Sequence, residues 1–410
     1  MVSDDIKIKP LQRHKVCVIG AGMAGLASAR ELRREGHGVT VLEQSGDVGG
    51  QWLYDPRVDG DDLLGAAEPP VKVHGSMYAS LRLISARENM GFTDFQFAPK
   101  DGLDGRRFPG HREVYLYLKD FCDAFGLMES VRLNTSVVRV APAAGPTLRW
   151  TVRSVDLGKC DGDGAGEVEE EEVFDAVVVA NGHYSQPRLP SIPGMEAWRG
   201  RQVHSHSYRE PEPFRGEVVV VVGCGESGKD IAMEVRRVAK EVHLVAKSME
   251  EVTQGLAKVL AKHSASLHLQ LHVFAPWFFE AQAKWVAQVL SGKRTLPPEE
   301  EMMRSVEEYY RAREVAGAPK KYTHDVSLFD TTYIDEFASK YCDFPGVEKW
   351  RYELLVSSFV NMLDNLETFR DEYEDSDTIR KGVEEWHLSA QQAQAAATKK
   401  QSLGLLEHVE

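Results

Sequence analysis

The glycine pattern G-x-G-x-x-G occurs twice in this chain, each time directly after a short apolar run. The first copy, Gly20 to Gly25, follows residues 16–19, and the second, Gly223 to Gly228, follows the five valines 218–222. An apolar strand, a glycine-rich turn, a helix and a second strand form the βαβ unit that binds dinucleotides. The repetition therefore predicts an α/β fold with two Rossmann-like domains. We expect residues 218–222 to be a buried parallel strand.

In the first glycine repeat each glycine has a predicted task. Gly20 makes the tight turn, Gly22 lets the backbone approach a pyrophosphate, and Gly25 lets the helix lie close to the strand. The helix is expected to run through residue 35, with its positive end facing the phosphates. Glu43 follows the second strand, residues 39–42, where a carboxylate can accept hydrogen bonds from an adenosine ribose.

A short loop after this repeat adds three candidate contacts to the same cofactor. Gly50 follows Gly49, and two consecutive glycines allow a close backbone approach. Gln51 and Trp52 come next, and the indole offers a flat apolar face. We predict that Gly50, Gln51 and Trp52 contact FAD.

The second repeat differs from the first at the end of its second strand. The position equivalent to Glu43 is Ala246, which is followed by Lys247. Since no carboxylate is available for a ribose hydroxyl and a lysine suits a 2′-phosphate, this repeat is expected to prefer NADPH over NADH. The predicted NADPH contacts are Gly223, Gly225, Ser227, Gly228 and Lys247.

The same loop can also be read as a phosphate-binding P-loop, because residues 223–229 spell G-x-x-x-x-G-K. That motif requires Ser or Thr next, to bind Mg²⁺, and this chain has Asp230. A carboxylate there would face phosphates that are already negative. We therefore favour the dinucleotide interpretation and expect Lys229 and Asp230 to face solvent.

The composition of the chain limits the range of possible functions further. A net charge of −14 argues against nucleic acid binding, and no apolar stretch is long enough to span a membrane. The amino terminus has no signal-peptide pattern, so we expect a cytoplasmic protein with small-molecule partners. The five cysteines never form C-x-x-C, which predicts neither a disulfide framework nor a zinc site, and we expect Cys17 and Cys224 to be buried and inert.

An acidic stretch, residues 161–172, partly matches a calcium-binding loop. It lacks a ligand at Ala165, so a solvated hairpin tip is the better interpretation and no metal site is predicted.

The acidic residue at the ribose position of the first glycine repeat and the basic residue at that of the second together imply that the chain binds both FAD and NADPH. A disulfide reductase is excluded by the missing C-x-x-C, which leaves a simple reductase or an oxygenase.

The spacing of Trp198, Gly200, His204 and Tyr208 matches the F-x-G-x-x-x-H-x-x-x-[YF] fingerprint of class B flavin-dependent monooxygenases, with Trp in place of Phe. Together with the segments GAGMAGL, GGQW, ANGHYSQP and GCGESG, it makes the chain resemble a flavin-containing monooxygenase. The resemblance covers nearly the whole chain. It is closest to the plant type that oxygenates thioether side chains of glucosinolates.

The resemblance implies a reaction in which NADPH reduces FAD and one atom of O2 is transferred to a soft sulfur or nitrogen nucleophile, for example a methylthioalkyl glucosinolate. It also implies that His204 and Tyr208 act at the catalytic centre by positioning the linker and cofactor. The alternative for these two is an interdomain turn with satisfied polar groups. Gly182 and Gln282 are further cofactor contacts implied by the resemblance.

Two departures from the family pattern are visible. Ile84 stands where many relatives have an asparagine beside the flavin, so a hydrogen bond there is absent. After residue 271 the chain also lacks several dozen residues of its relatives, including the strand that returns to the FAD domain. This loss is expected to leave a sheet edge uncovered and to weaken folding and FAD retention.

The resemblance implies three segments. Residues 1–190 form the first part of an FAD-binding domain, and an NADPH-binding domain is inserted at residues 191–271. Residues 272–410 return to the FAD domain and form carboxy-terminal helices. Periodicity predicts helices at 111–125, 299–316 and 347–365 and a buried strand at 176–182. Two functions from different classes remain: an active monooxygenase, and a truncated, catalytically impaired nucleotide-binding relative or NADPH oxidase-like flavoprotein.

Overall fold

The computed structural model describes residues 12–58, 60, 62–66, 75–159, 169–245, 275–315, 317 and 340–407, with the backbone alone for 394–407. Its strands, in chain order, are β1 (Lys15–Ile19), β2 (Gly38–Leu42), β3 (Val131–Arg132), β4 (Thr135–Pro142), β5 (Trp150–Asp156), β6 (Glu169–Phe174), β7 (Ala176–Val179), β8 (Val218–Val222) and β9 (Glu241–Val245). Its helices are α1 (Met23–Arg34), α2 (His111–Ala124), α3 (Glu226–Val235), α4 (Ala275–Leu290), α5 (Glu299–Val315), α6 (Lys349–Asp364) and α7 (Asp377–Glu407).

The chain divides into two compact units, each assembled from three segments. Unit 1 comprises Met1–Val48, Cys122–Asn181 and Trp277–Gly346, and unit 2 comprises Gly49–Phe121, Gly182–Pro276 and Val347–Glu410. Unit 1 contains the first glycine repeat and unit 2 the second. The predicted functional boundaries at residues 190 and 271 stay predictions.

Unit 1 is built on a parallel sheet with strand order β3-β2-β1-β7. Its central strand β1 pairs in parallel with β2 on one side and with β7 on the other. Val16, Cys17 and Val18 of β1 are fully buried, as are Leu26 and Ala29 of α1. The helix therefore packs its apolar face on the sheet, as the sequence predicts. A separate antiparallel sheet of order β4-β5-β6 completes the strands of this unit.

Several predicted elements are confirmed with small shifts at their ends. The helix predicted at residues 111–125 is α2, and those at 299–316 and 347–365 are α5 and α6. The helix after the second glycine loop is α3, which ends at Val235. The strand predicted at 176–182 is β7, which ends at Val179. The prediction that it is buried is wrong, since β7 lies at the edge of its sheet and Val179 is 67% exposed.

His37 in unit 1 provides a test of stability against pH. Its ring is 4% exposed, Nδ1 accepts a hydrogen bond from the His14 amide at 3.2 Å, and Nε2 lies 3.2 Å from the Ala287 carbonyl oxygen. Both contacts fit the neutral ring with the proton on Nε2, and burial lowers the pKa of His37. A second proton would face the His14 N–H group.

We expect the protein to lose stability as the pH falls below about 6.5, where the unfolded chain protonates this histidine and the folded chain resists protonation. The melting temperature, followed from pH 7.5 to 5.5, should fall less in His37→Gln, because an amide offers the same acceptor and donor without titrating. His243→Gln is the control, since that ring is 48% exposed. Equal slopes for wild type and His37→Gln would contradict this account.

Candidate functional site

The first glycine loop, in unit 1, has the backbone geometry of a dinucleotide-binding turn. Gly20 has a φ of 101°, which favours glycine, and its amide donates to the Leu42 carbonyl oxygen at 2.8 Å. A Cβ on Gly25 would lie 1.9 Å from the Gly20 carbonyl oxygen, so only glycine lets α1 approach the loop this closely. Gly22 is the N-cap of α1 and has no side chain to cap it, which leaves the first-turn amides open to an anion.

Glu43 lies beside this loop at the end of β2. Its side chain is 6% exposed, Oε2 accepts a hydrogen bond from the Ala21 amide at 2.7 Å, and Oε1 accepts one from the Ser45 amide at 2.8 Å. Each carboxylate oxygen keeps a second lone pair. The loop and Glu43 therefore fit the pyrophosphate and adenosine ribose of a dinucleotide such as FAD.

The second loop, in unit 2, repeats this geometry closely. Gly223 has a φ of 103°, and a Cβ on Gly228 would lie 2.0 Å from the Gly223 carbonyl oxygen. The N-cap Gly225 has φ and ψ of −67° and −179°, against −77° and −175° for Gly22 in the first loop. The sequence repeat is therefore also a structural repeat, and the second loop fits a second dinucleotide.

The two loops differ in what lies beside them. In the first loop a Cβ on Gly20 would meet the Ala180 carbonyl oxygen after β7, at 2.6 Å, whereas one on Gly223 meets no atom within 4 Å. Among the described residues, β8 pairs only with β9.

The prediction that residues 218–222 form a buried strand is therefore wrong as to burial. Side chains on one face of β8 contact unit 2, and Val219 packs against the cluster that contains Ile231 and Val235 of α3. The opposite face is exposed, with Val218 at 52%, Val220 at 46% and Val222 at 56%. A strand is buried on both faces only when elements cover both, and the described chain covers one.

The expectation that Lys229 and Asp230 face solvent is also wrong. Lys229 is 2% exposed, and its Nζ lies 2.6 Å from Glu226 Oε1. Asp230 accepts hydrogen bonds from the Tyr78 hydroxyl and from Arg370 Nη1, the latter at 3.1 Å. Both residues lie one turn into α3, where packing in unit 2 turns their side chains inward. Burial raises the pKa of Tyr78 and lowers that of Lys229.

The fingerprint tyrosine contacts α3 in unit 2, and the fingerprint histidine lies in the segment that precedes it. Tyr208 is 3% exposed, its hydroxyl donates to Glu234 Oε2 at 2.6 Å, and its ring meets Tyr78 edge-on with centroids 5.4 Å apart. His204 is half-buried and its Nδ1 accepts from the His206 amide at 3.0 Å. Desolvation lowers the pKa of His204 and raises that of Tyr208. Both side chains are therefore in hydrogen bonds that fix this connecting segment.

Arg209 is a buried residue that the sequence reasoning missed. It is 8% exposed and donates to four backbone carbonyl groups at 2.7–2.9 Å, those of Asp55, Gly75, His206 and Tyr208. The guanidinium thereby joins the fingerprint segment to the loop after residue 52. An arginine directly after the fingerprint tyrosine is the only signal of this role in the sequence.

The remaining predicted site residues are distributed over both units. Gly50, Gln51 and Trp52 form a single turn of 3-10 helix, in which Gln51 is exposed and Trp52 half-buried. Gly182 is exposed with a φ of 72°, and Ser227 is exposed on the first turn of α3. Gln282 is exposed on α4, and Ile84 is half-buried. Lys247 lies outside the described residues, so its role in NADPH selection stays a prediction.

Other sequence expectations concern metals, thiols and membranes. No cluster of metal-ligating side chains occurs among the residues that the structure describes, and none of its helices is apolar and long enough to cross a membrane. Cys17, Cys122, Cys224 and Cys342 are buried free thiols, whereas Cys160 and the predicted hairpin tip lie outside the described part. Burial raises the pKa of Cys17 to about 12 and of Cys342 to about 11, which keeps both thiols protonated and unreactive.

Comparison with known proteins identifies similar sequences and folds. A family model described as flavin-binding monooxygenase-like matches residues 13–259. The flavin-containing monooxygenase FMO GS-OX-like 9 of Arabidopsis thaliana is 45% identical, with 92% of this chain and 96% of that protein covered. FMO GS-OX-like 8 of the same plant is 44% identical, with 91% and 95% covered.

A solved structure shares the fold over nearly the same length. The S-allyl-L-cysteine S-oxygenase from Allium sativum superimposes with a TM-score of 0.80 at 34% identity, covering 92% of this chain and 100% of that one. The alignment with FMO GS-OX-like 9 is 453 positions long, longer than the 410 residues of this chain. That relative therefore has residues with no counterpart here, in agreement with an internal deletion. The position of the deletion after residue 271 stays a prediction.

Proposed function

Because the chain belongs to the flavin-binding monooxygenase-like family, whose cofactors are FAD and NADPH, we propose that it transfers one oxygen atom from O2 to the sulfur of a small thioether. The observation that carries this proposal is the repeated loop geometry, in which Gly20 and Gly223 share a φ near 100° and Gly25 and Gly228 both abut the first glycine. Two dinucleotide loops in one chain are what a flavin reduced by a nicotinamide cofactor requires.

The first loop is assigned to FAD and the second to NADPH. Glu43 is the ribose acceptor of the first, and the open amides at the start of α1 receive the pyrophosphate. Gly50, Gln51, Trp52, Gly182 and Gln282 are further proposed cofactor contacts. In the second loop Gly223, Gly225, Ser227 and Gly228 approach the NADPH diphosphate, and Lys247 selects the 2′-phosphate.

His204 and Tyr208 are proposed to act by position rather than by proton transfer. The hydrogen bonds of Tyr208 to Glu234 and of His204 to the His206 amide fix the chain that leads from residue 198 to β8. Bound FAD supplies the oxygen-activating redox chemistry when NADPH has reduced it. The protein needs no side-chain nucleophile and has to keep water away from the reacting centre.

Sulfur is the proposed target because two lines of similarity agree on it. The similar solved protein is described as an S-allyl-L-cysteine S-oxygenase, and the similar plant sequences are described as GS-OX-like. A thioether sulfur is soft and uncharged, so it needs no acidic partner in the pocket. Nitrogen nucleophiles remain the second substrate class, and a methylthioalkyl glucosinolate is one thioether to test.

The function is tested with purified protein that retains yellow FAD. With S-allyl-L-cysteine or a methylthioalkyl glucosinolate present, the protein should consume NADPH and produce the sulfoxide in equal amounts, measured by absorbance and mass spectrometry. NADPH consumption that yields only hydrogen peroxide would replace this function with that of an NADPH oxidase.

Gly225→Ala is expected to weaken NADPH binding at least tenfold without changing FAD content. A Cβ at Gly225 meets no protein atom within 4 Å and the backbone there suits any residue, so only a ligand can clash with it. The matched control is Gly105→Ala, which also has open space around its Cβ and leaves binding unchanged. The measurement is the Michaelis constant for NADPH, and an unchanged value would remove the diphosphate from this loop.

One observation favours the second candidate, an impaired relative. The exposed valines of β8 form an apolar face that a complete parallel sheet would cover. A protein that purifies without the yellow colour of FAD and aggregates would support this candidate and contradict the proposed oxygenase function.

A further inference from the structure

The first turn of α3 has an unusual pair of charges beside the second glycine loop. Glu226 follows the N-cap Gly225 directly, and its side chain is 26% exposed. Lys229 lies one turn later, only 2% exposed, with its Nζ 2.6 Å from Glu226 Oε1. Glu226 is the carboxylate in direct contact with Lys229, and Asp230 adds a further negative charge nearby.

A carboxylate in the first turn of a helix interacts favourably with the helix dipole when no ligand is bound. The same position becomes unfavourable when a diphosphate binds, because the phosphates gather at that helix end and carry the same sign of charge. The nearer loop glycines, Gly223 and Gly225, leave this end of α3 open, with no protein atom within 4 Å of a Cβ built on either.

The burial of Lys229 cannot be explained by the ion pair alone. An exposed helix pair three residues apart adds little to helix stability, whereas burying an ammonium group is costly unless the charge is well paired. The charge is nonetheless held inside unit 2 and directed at Glu226. The buried pair keeps a positive charge beside the carboxylate at the start of α3.

We propose that Lys229 is a positioning residue for NADPH, which acts by neutralising Glu226 so that the diphosphate can approach the first turn of α3. This inference rests on the proposed NADPH role of the second loop and deepens it. Lys229 holds Glu226 back from the ligand and does not itself contact the phosphates. The first glycine loop has no equivalent, because Met23 occupies the position of Glu226.

The test uses the FAD-loaded protein and measures the dissociation constant of NADP⁺ by calorimetry, so that the readout does not depend on turnover. Lys229→Met, which suits a buried site, is expected to weaken NADP⁺ binding at least tenfold, most strongly at low salt. Glu226→Gln is expected to bind NADP⁺ at least as tightly as wild type. The double variant Lys229→Met with Glu226→Gln is expected to recover binding to within about threefold of wild type.

Four results would overturn the inference. Lys229→Met could bind NADP⁺ like wild type, or the double variant could bind as weakly as Lys229→Met, which would assign Lys229 a direct or structural role. Should Lys229→Met fail to fold, Glu226→Gln decides alone, and tenfold weaker binding in it would contradict the proposal. A wild-type protein that holds FAD but binds no NADP⁺ would overturn both the proposed function and this inference. The results with the variants would overturn this inference alone, so the two failures can be distinguished.

Discussion

Gly25→Ala is expected to yield a protein that purifies without FAD. The added methyl group would lie 1.9 Å from the Gly20 carbonyl oxygen, a backbone atom of the loop, which is far inside contact distance. Helix α1 would have to move away from β1, which withdraws the first-turn amides from the pyrophosphate. Overpacking of this kind costs about 1–3 kcal/mol in stability, and the loss of cofactor geometry is the larger effect.

The measurement is the ratio of flavin absorbance to protein absorbance after purification and after dialysis against added FAD. Gly38→Ala is the matched control in the same βαβ segment, because its Cβ would meet only the His14 carbonyl oxygen at an ordinary 3.8 Å. The control should retain FAD like wild type. Full FAD content in Gly25→Ala would mean that the first loop does not bind the flavin dinucleotide.

Arg30→Met is expected to destabilise unit 1 by about 3–5 kcal/mol, the range for removing one partner of a buried ion pair. Arg30 is 1% exposed, and its guanidinium lies 2.8 Å from Glu31 and 2.5 Å from Glu280 of α4. Glu31 and Glu280 are 4% and 3% exposed, so their carboxylates would lose a buried positive charge that water cannot replace.

The measurement is the free energy of unfolding from urea denaturation, with Arg34→Met as the control. Arg34 also pairs with Glu31, at 2.9 Å, but its side chain is 42% exposed, so its loss should cost less than about 1 kcal/mol. Combining Arg30→Met with Glu280→Met should restore part of the stability. If Arg30→Met were no more harmful than Arg34→Met, the pair would not hold α4 on α1.

The Arg30–Glu280 pair also bears on the predicted deletion. Helix α4 begins at Ala275, a few residues after the point where the chain is predicted to be shorter than its relatives. The buried pair shows that α4 still docks on the helix of the first glycine loop. Exposed apolar side chains of the kind expected from the deletion are present on one face of β8 and at Val179 of the edge strand β7.

The sequence by itself was enough to identify the two dinucleotide-binding loops and the acidic residue after the first. The steric limits at Gly20, Gly25, Gly223 and Gly228 are local, so they require glycine at a fixed spacing that can be recognised in the sequence. It also predicted the family, the helices α2, α5 and α6, and the burial of Cys17 and Cys224. Burial of β8 and the direction of Lys229 were misjudged, since both depend on what lies opposite in space. Five valines in a row give the same pattern whether one face or two are covered, and only the tertiary structure decided that one face of β8 is open. A lysine after a glycine loop is expected from the sequence to face solvent, because its side chain is charged. Only the packing of α3 within unit 2 turns Lys229 inward onto Glu226.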